Sequence, residues 1–177
     1  EGIYSEVLGK LEAKVAALPE GDTAVSETVT DVVPAIRQML SRSGRGFKTL
    51  KVTKNALVDY FIDGNFKMIA KPFTPDIIVY CKSSYIFIDA ESDEEILKQA
   101  EEKIEAFVSE KGYTPKVLLI KGIGLIAVGD NSKNARIITD VFTDAMKVAF
   151  HAQSFGGEHP MERAWIDFID NWEVENY

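Results

Sequence analysis

The sequence of 177 residues predicts a single α/β domain, because strand-like runs alternate with long segments of helical periodicity. Its length lies within the range of about 100–200 residues that is usual for one domain. The clearest strand signals are the aliphatic runs "KVLLI" at 116–120 and "LIAVG" at 125–129. Helical patterns precede and follow this pair of runs, which favours helices packed on a sheet over an all-helical fold.

The first 45 residues predict a leading helical segment. In residues 3–18 the apolar side chains recur every four positions, as in an amphipathic helix, at Ile3, Val7, Leu11 and Val15. A second helix is indicated over 26–40, with Ser26 as a possible cap. Pro34 lies inside that pattern and predicts a kink or a later start. We therefore divide the chain into a leading segment, 1–45, and a main segment, 46–177.

The middle of the chain predicts several strands followed by a helix. "FKTLKV" at 47–52 is strand-like, whereas "NALVDYFIDG" at 55–64 is ambiguous. "TPDIIVYC" at 74–81 and "YIFID" at 85–89 are short β-branched and aromatic runs, which indicates two strands and possibly a hairpin. Ser92 and Glu95 form a capping box for the next helix, and Gly112 is placed to end it.

The last third predicts a strand pair, a long helix and a final short element. The strands at 116–120 and 125–129 are joined by "KGIG". The long helix is expected over about 132–155, ended by Gly156 and Gly157, and residues 161–177 are helical or irregular. The residues expected to face the core from this long helix are Ile138, Val141, Ala145, Val148 and Ala152.

Composition excludes several classes of protein. The net charge of −8 argues against nucleic-acid binding, which depends on cations that neutralise phosphates. Cys81 is the one cysteine, so no intramolecular disulfide can form, and its apolar neighbours predict a buried side chain. We find neither a signal peptide nor an apolar run of about 18 residues that could span a membrane. A cytoplasmic protein is therefore expected, and the start at Glu1 leaves room for a longer parent protein.

The glycines of the strand pair match the pattern of a nucleotide-binding loop, but the residues that follow them do not fit that kind of loop. Gly122, Gly124 and Ala127 satisfy the pattern G-x-G-x-x-G/A, yet the residues that follow continue as a strand and not as a helix. Tight turns or positive φ angles explain the glycines better. An alternative is a phosphate site that uses "KGIG" and "SGRG", the latter flanked by cations at Arg42, Arg45 and Lys48.

The residue types of the chain offer few candidates for a metal ligand or a catalytic nucleophile. His151 and His159 are the only histidines, and their spacing does not correspond to a recognised metal motif. No G-x-S-x-G elbow marks a serine nucleophile.

The order of several short motifs resembles the later part of class II aldolase/adducin-like proteins. These motifs are the T-P-D at 74–76, the glycine hairpin at 122–129, the Ala135-Arg136 pair, and Asp167 or Asp170 with Trp172. The similarity covers roughly 47–177 and is closest to the rhamnulose-phosphate aldolase subgroup that is often fused to a short-chain dehydrogenase. It implies a partial three-layer α/β/α sandwich around a largely antiparallel or mixed sheet.

The resemblance also implies a metal-dependent lyase in the parent protein. In such enzymes a divalent ion, usually zinc, is held by three histidines and polarises a carbonyl, while an acidic residue moves the proton. The family's His-x-His pair and glutamate precede the region seen here. The two places where the third histidine is expected hold Ile77 and Ile123. Three explanations of the missing histidine stay open. Asp76 contributes to a different metal site, the chemistry has been lost as in adducin-type relatives, or the short motifs should be aligned one position away.

The sequence therefore predicts the C-terminal portion of a class II aldolase that is inactive as an isolated chain. The expected cleft residues are Thr74, Asp76, Gly122 and Gly124, and no catalytic residue is assigned. The expected substrate of the parent is a small sugar or sugar phosphate, with no nucleic acid or membrane partner and with possible homo-oligomers. The alternative is a non-catalytic, adducin-like interaction or assembly domain.

Overall fold

The computed structural model describes residues 2–44 and 46–171, and this part of the chain contains seven α-helices and four strands. The helices are α1 (Gly2–Glu12), α2 (Thr28–Ser43), α3 (Ala56–Tyr60), α4 (Pro75–Cys81), α5 (Asp93–Lys111), α6 (Ser132–Ala152) and α7 (Arg163–Asp170). The strands are β1 (Thr49–Thr53), β2 (Ile86–Ile88), β3 (Val117–Ile120) and β4 (Gly124–Gly129). Irregular helical turns follow α3 at Phe61–Asn65 and Phe66–Ile69, and another follows α6 at Gln153–Phe155.

The four strands form one mixed sheet in the order β1-β4-β3-β2. β4 is antiparallel to both of its neighbours, with Thr49 opposite Gly129 on one side and Ile120 opposite Gly124 on the other. β2 runs parallel to β3, with Ile86 opposite Leu118. The predicted antiparallel pair joined by "KGIG" is thus confirmed as β3 and β4.

Helices cover both faces of this sheet, as the three-layer prediction requires. Alternate side chains of a strand point to opposite faces, so each strand contributes to two cores. One core joins the sheet to α2 and α5 through Leu118, Ile120, Ile126 and Val128. The other joins it to α3, α4 and α6 through Val117, Leu119, Leu125 and Ala127. The result is an α/β/α sandwich in which β3 and β4 are buried on both sides.

The ends of the two long helices agree with the sequence signals. The Ser92 hydroxyl accepts a hydrogen bond from the Glu95 amide at 3.3 Å, and Gly112 has a φ of 77° at the C-terminus of α5. α6 ends near Gly156, which has a φ of 105°. Its buried face is rotated from the expected one: Ile138 and Ala145 are buried, but Val148 is 54% exposed. Seven-residue steps drift around a helix of 3.6 residues per turn, so the true face instead includes Phe142, Met146 and Ala149.

The prediction of a strand over "TPDIIVYC" is wrong, because these residues form α4. Thr74 is the N-cap, Pro75 occupies the first turn and Asp76 lies beside the positive helix N-terminus, all of which favour a helix start. Burial of Ile77, Ile78 and Cys81 then stabilises the helix despite its β-branched residues. The possible hairpin with β2 is therefore absent, and β2 pairs with β3 instead.

The leading segment also differs in part from its prediction. α1 ends at Glu12, before the predicted end at residue 18, and none of its residues is buried; Ile3 is 81% exposed. α2 begins at Thr28, before Pro34, and it packs on α5 through Val32, Ile36 and Leu40. Within 2–44 and 46–171, no helix combines the length and the apolar character needed to cross a membrane.

Candidate functional site

The connection between β3 and β4 shows what its glycines do. The Ile123 amide donates to the Ile120 carbonyl at 3.1 Å, which closes a tight turn, and Gly122 has a φ of 77°. Gly124 has a φ of 122°, and a Cβ atom built there would lie 2.5 Å from the Thr53 carbonyl oxygen of β1. Positive φ and close backbone approach both favour glycine. The expected hairpin turn is confirmed.

The two loops of the alternative phosphate site lie at opposite ends of the sheet. The "SGRG" loop precedes Thr49, which pairs with Gly129, whereas "KGIG" precedes Gly124 at the other end of β4. Five residues of strand separate these ends by about 16 Å. One small anion therefore cannot contact both loops. Arg45, one of the three cations in that prediction, lies outside the described residues.

A polar crevice lies where the parallel strands β2 and β3 end. Carboxyl ends of parallel strands are common ligand-binding positions in α/β proteins. Asp89 and Glu91 follow β2, and Lys121 follows β3 at the start of the tight turn. The Lys121 amide donates to the Ile88 carbonyl at 3.0 Å, which extends the parallel pairing and fixes the position of the lysine.

Lys121 lies between two recesses of this crevice. The smaller has a volume of about 240 Å³ and is bounded by the helix-start residues Ser26 and Thr28 and by the turn residue Gly122. The larger has a volume of about 560 Å³, and the charged residues that line it are Asp63, Lys67, Asp89 and Lys121. We call the two recesses together the Lys121 crevice.

Ion pairs hold the Lys121 ammonium group in its charged form. Its Nζ lies 3.3 Å from Asp89 Oδ1 and 3.5 Å from Glu91 Oε1. The hydrogen bond that Lys121 donates to Asp89 and the charge of that carboxylate, followed by the same two effects of Glu91, raise the pKa of Lys121. A lysine that forms a Schiff base needs a lowered pKa. Lys121 is therefore suited to donate hydrogen bonds and not to act as an amine nucleophile.

The larger recess also has an aromatic wall. The rings of Phe66 and Phe87 stack with centroids 4.6 Å apart and an interplanar angle of 10°. Beside this apolar surface, the carboxylates accept hydrogen bonds and the ammonium groups donate them. The Lys121 crevice can therefore bind a small molecule that carries several hydroxyl or carbonyl groups.

The four cleft residues predicted from the sequence do not all lie in this crevice. Gly122 lines the smaller recess, and Gly124 is buried against Thr53 at the start of β4. Thr74 and Asp76 are exposed at the N-terminus of α4, a helix that packs against α6 and α7. Their role in a cleft remains a prediction.

The described residues do not provide the donors that a catalytic metal needs. Within 2–44 and 46–171 no three His, Cys, Asp or Glu side chains lie close enough to hold an ion, and this includes the neighbourhood of Asp76. Ile123 is fully buried in the core next to α2 and α5, and Ile77 is 6% exposed in the core next to α6. Their side chains serve packing, so this part of the chain does not fit a three-histidine site.

The terminal motif of the resemblance is only partly described. Asp167 forms an ion pair with Arg163 at 3.0 Å, and Asp170 accepts a hydrogen bond from the Ser83 hydroxyl. Both aspartates thus have structural partners that join or stabilise α7. Trp172 lies outside the described residues.

The charged residues of the Lys121 crevice were missed by the sequence analysis. Asp89, Glu91 and Lys121 are separated in sequence and look like ordinary solvated charges. The signal that could have found them is the pair of parallel strand ends, since polar residues directly after such strands meet at one edge. The possible hairpin between residues 74–81 and 85–89 hides that signal, because it pairs β2 with the run before it and not with β3.

Comparison with known proteins gives a family match for the last part of the chain. Residues 109–177 match the family model described as "Aldolase class II, second domain". This region begins near the end of α5 and contains β3, β4, α6 and α7. Comparison with curated protein sequences gives no significant match.

Solved structures of two bacterial proteins share the fold. YgbL from Escherichia coli, a proposed aldolase/epimerase/decarboxylase, has 13% sequence identity and a TM-score of 0.54, and the alignment covers 79% of this chain and 65% of YgbL. YgbL from Klebsiella pneumoniae, described in the same terms, has 10% identity and a TM-score of 0.57, with 77% and 64% coverage. The chain thus spans somewhat less than two thirds of the length of these proteins. The family match over 109–177 and the shared fold together support a relation to the class II aldolase family.

Proposed function

We propose that this chain is the C-terminal portion of a metal-dependent carbon–carbon lyase that acts on a sugar or sugar phosphate. The observation that carries the proposal is the family match over 109–177, since that region forms the centre of the sheet and one wall of the Lys121 crevice. The division at residues 45 and 46, the rhamnulose-phosphate subgroup with its dehydrogenase fusion, a cytoplasmic location and a homo-oligomeric state belong to the same proposal.

In this proposal the chain binds and orients substrate but does not complete the chemistry. Asp89 and Glu91 accept hydrogen bonds from substrate hydroxyls, and Lys121 donates to a carbonyl or phosphate oxygen. The divalent metal polarises the carbonyl when it is bound. Its ligands and the acid/base glutamate are supplied by residues outside the described part, so the isolated chain is expected to be inactive.

A calorimetric titration with Zn²⁺ tests this proposal. The metal-free chain and the longest natural protein that contains it are titrated in parallel, and both are assayed for cleavage of ketose phosphates. We expect one tight site in the longer protein, activity that a chelator abolishes, and neither property in this chain alone. A longer protein that binds no divalent metal and cleaves no ketose phosphate would refute the lyase assignment.

The second candidate is a non-catalytic interaction or assembly domain. Two observations favour it: isoleucine side chains fill the core at both places expected to supply a metal ligand, and α1 exposes an apolar face with Ile3 81% and Val7 51% exposed. This alternative predicts an assembly state that does not change when divalent metals are removed. Sedimentation velocity with and without a chelator distinguishes it from the lyase.

A further inference from the structure

A second group of charged side chains lies at the end of β3 that is opposite to the Lys121 crevice. Lys116 directly precedes β3 and Lys121 directly follows it, so the strand separates the two lysines by about 16 Å. The Lys116 carbonyl accepts a hydrogen bond from the Val128 amide of β4 at 2.8 Å, which fixes the lysine at the start of the strand. Asp130 directly follows β4 and lies beside it.

Two ammonium groups share the Asp130 carboxylate. Lys48 Nζ lies 2.6 Å from Oδ1, and Lys116 Nζ lies 3.8 Å from Oδ2. Lys48 is only 7% exposed, and its main chain is held by hydrogen bonds to Ser41 and from Arg37. A buried ammonium group needs a charged partner, and one carboxylate neutralises one cation. Lys116 is therefore the surplus cation of this pair.

Lys82, in the connection between α4 and β2, adds a third positive charge beside Lys116. Its φ of 63° lies in the left-handed region, which is uncommon for a residue with a side chain. Its Nζ lies 5.5 Å from the centroid of the Tyr113 ring, and no carboxylate in the described part of the chain forms an ion pair with it. We call these charged residues the Lys116 cluster; its members are Lys48, Lys82, Lys116 and Asp130.

The cluster favours the neutral amine form of Lys116. Burial has the largest effect and lowers the pKa of Lys116; Asp130 opposes this effect, and the charges of Lys48 and Lys82 lower the pKa further. A lysine that is desolvated or lies next to another cation is activated as an amine nucleophile. The Lys116 side chain is still 27% exposed, so a small reagent can reach the amine. Lys116 thus has the property that Lys121 lacks.

We propose that Lys116 forms a reversible imine with small aldehydes that carry a phosphate or carboxylate group. The neutral amine adds to the carbonyl carbon and forms a C–N bond. The resulting carbinolamine then loses its hydroxyl group and the remaining N–H proton as water, so no oxidant or reductant is consumed. The proposal does not depend on the lyase assignment, because no residue of the Lys121 crevice takes part.

The charges of the cluster are the reason for an anionic aldehyde. A protonated imine at Lys116 restores the positive charge that Lys48 and Lys82 disfavour. A phosphate or carboxylate on the bound aldehyde compensates for that charge, whereas a neutral aldehyde does not. All of these charges belong to segments of this chain that pack on one another, so the cluster does not depend on an open face of the sheet.

Reductive labelling, measured separately for each lysine, tests the proposal. The chain is treated with pyridoxal 5′-phosphate and cyanoborohydride at neutral pH and is then digested for mass spectrometry. We expect Lys116 to be labelled faster than Lys98, an exposed lysine of α5. Glyoxylate, which carries a carboxylate, should show the same preference, and neutral pyridoxal should show a smaller one.

The pH dependence separates a reactive amine from an accessible one. The advantage of Lys116 over Lys98 should disappear above pH 10.5, the ordinary lysine value, because both amines are then neutral. A preference that persists unchanged above this pH would mean that accessibility alone directs the labelling, and it would overturn the proposal.

Two charge variants test the cluster directly. Lys82→Gln should slow the labelling of Lys116 at neutral pH about threefold, as expected for the loss of one screened charge several ångströms away. Lys147→Gln removes the same charge from an exposed position on α6 and should leave the rate unchanged. The rate at Lys98 and the circular dichroism spectrum should be the same in both variants.

Other results would overturn the proposal. Equal labelling of Lys116 and Lys98 would show that the cluster does not activate the amine, and equal effects of the two variants would show that Lys82 does not act on it. The labelling is repeated on the longest natural protein that contains this chain. Loss of the preference there would show that the amine is covered in the natural protein.

Discussion

Replacing Gly124 with alanine should destabilise the fold far more than the same change at Gly122. Gly124 has a φ of 122°, and its added Cβ would lie 2.5 Å from the Thr53 carbonyl oxygen, which belongs to the backbone of β1. The backbone conformation costs roughly 1–3 kcal/mol for a non-glycine residue. Displacement of a packed neighbouring strand adds roughly 1–3 kcal/mol. We therefore expect Gly124→Ala to lower the free energy of unfolding by about 4 kcal/mol.

Gly122→Ala is the matched control in the same turn. Gly122 has a φ of 77°, but no atom lies within 4 Å of an added Cβ, so only the left-handed backbone conformation is penalised. That penalty is about 1 kcal/mol. Urea denaturation followed by circular dichroism measures both variants. Equal losses at the two positions would refute the reasoning, because the close approach of β1 to Gly124 would then contribute nothing.

Three further predictions concern single side chains. Burial raises the pKa of the Cys81 thiol to about 12, so Ellman's reagent should label this thiol only after unfolding, and rapid labelling of the folded chain would contradict this. The free energy of unfolding should also fall as the pH rises above the ordinary thiol pKa of 9.0, because the thiol then ionises in the unfolded chain before it ionises in the folded one. The hydrogen bond from the buried Lys48 lowers the pKa of Asp130, so Asp130→Asn should destabilise the fold at neutral pH by up to about 1 kcal/mol, because solvent screens a carboxylate that is 59% exposed. Urea titrations should show this difference shrinking as the pH falls below 3.8. Because its carboxylate partners raise the pKa of Lys121, cyanoborohydride with a ketose phosphate should modify it more slowly than the exposed Lys133 of α6, and mass spectrometry that finds Lys121 modified faster would refute its assignment as a hydrogen-bond donor.

The features that could be predicted from the sequence are those with a local physical cause. The start of α5 at Ser92 and its end at Gly112 depend on contacts within one helical turn, and both are confirmed. The β3–β4 hairpin was also predictable, because two aliphatic runs flank glycines at positions that need positive φ. The exposure of α1 was harder to predict. The periodicity of its apolar residues indicates an amphipathic helix, but this periodicity does not show whether another element covers the apolar face.

The candidate site was hidden by one local ambiguity with a long-range consequence. A short run such as "DIIVYC" fits a buried strand and a buried helix equally well by hydrophobicity, and tertiary packing against α6 and α7 decides for the helix. Once this run is a helix, β2 has no preceding hairpin partner, and it pairs in parallel with β3 after α5 crosses over. Only this parallel pairing brings Asp89 and Lys121 to the same edge of the sheet. The position of the crevice is therefore a property of the topology, and the sequence could indicate it only through a correct assignment of α4.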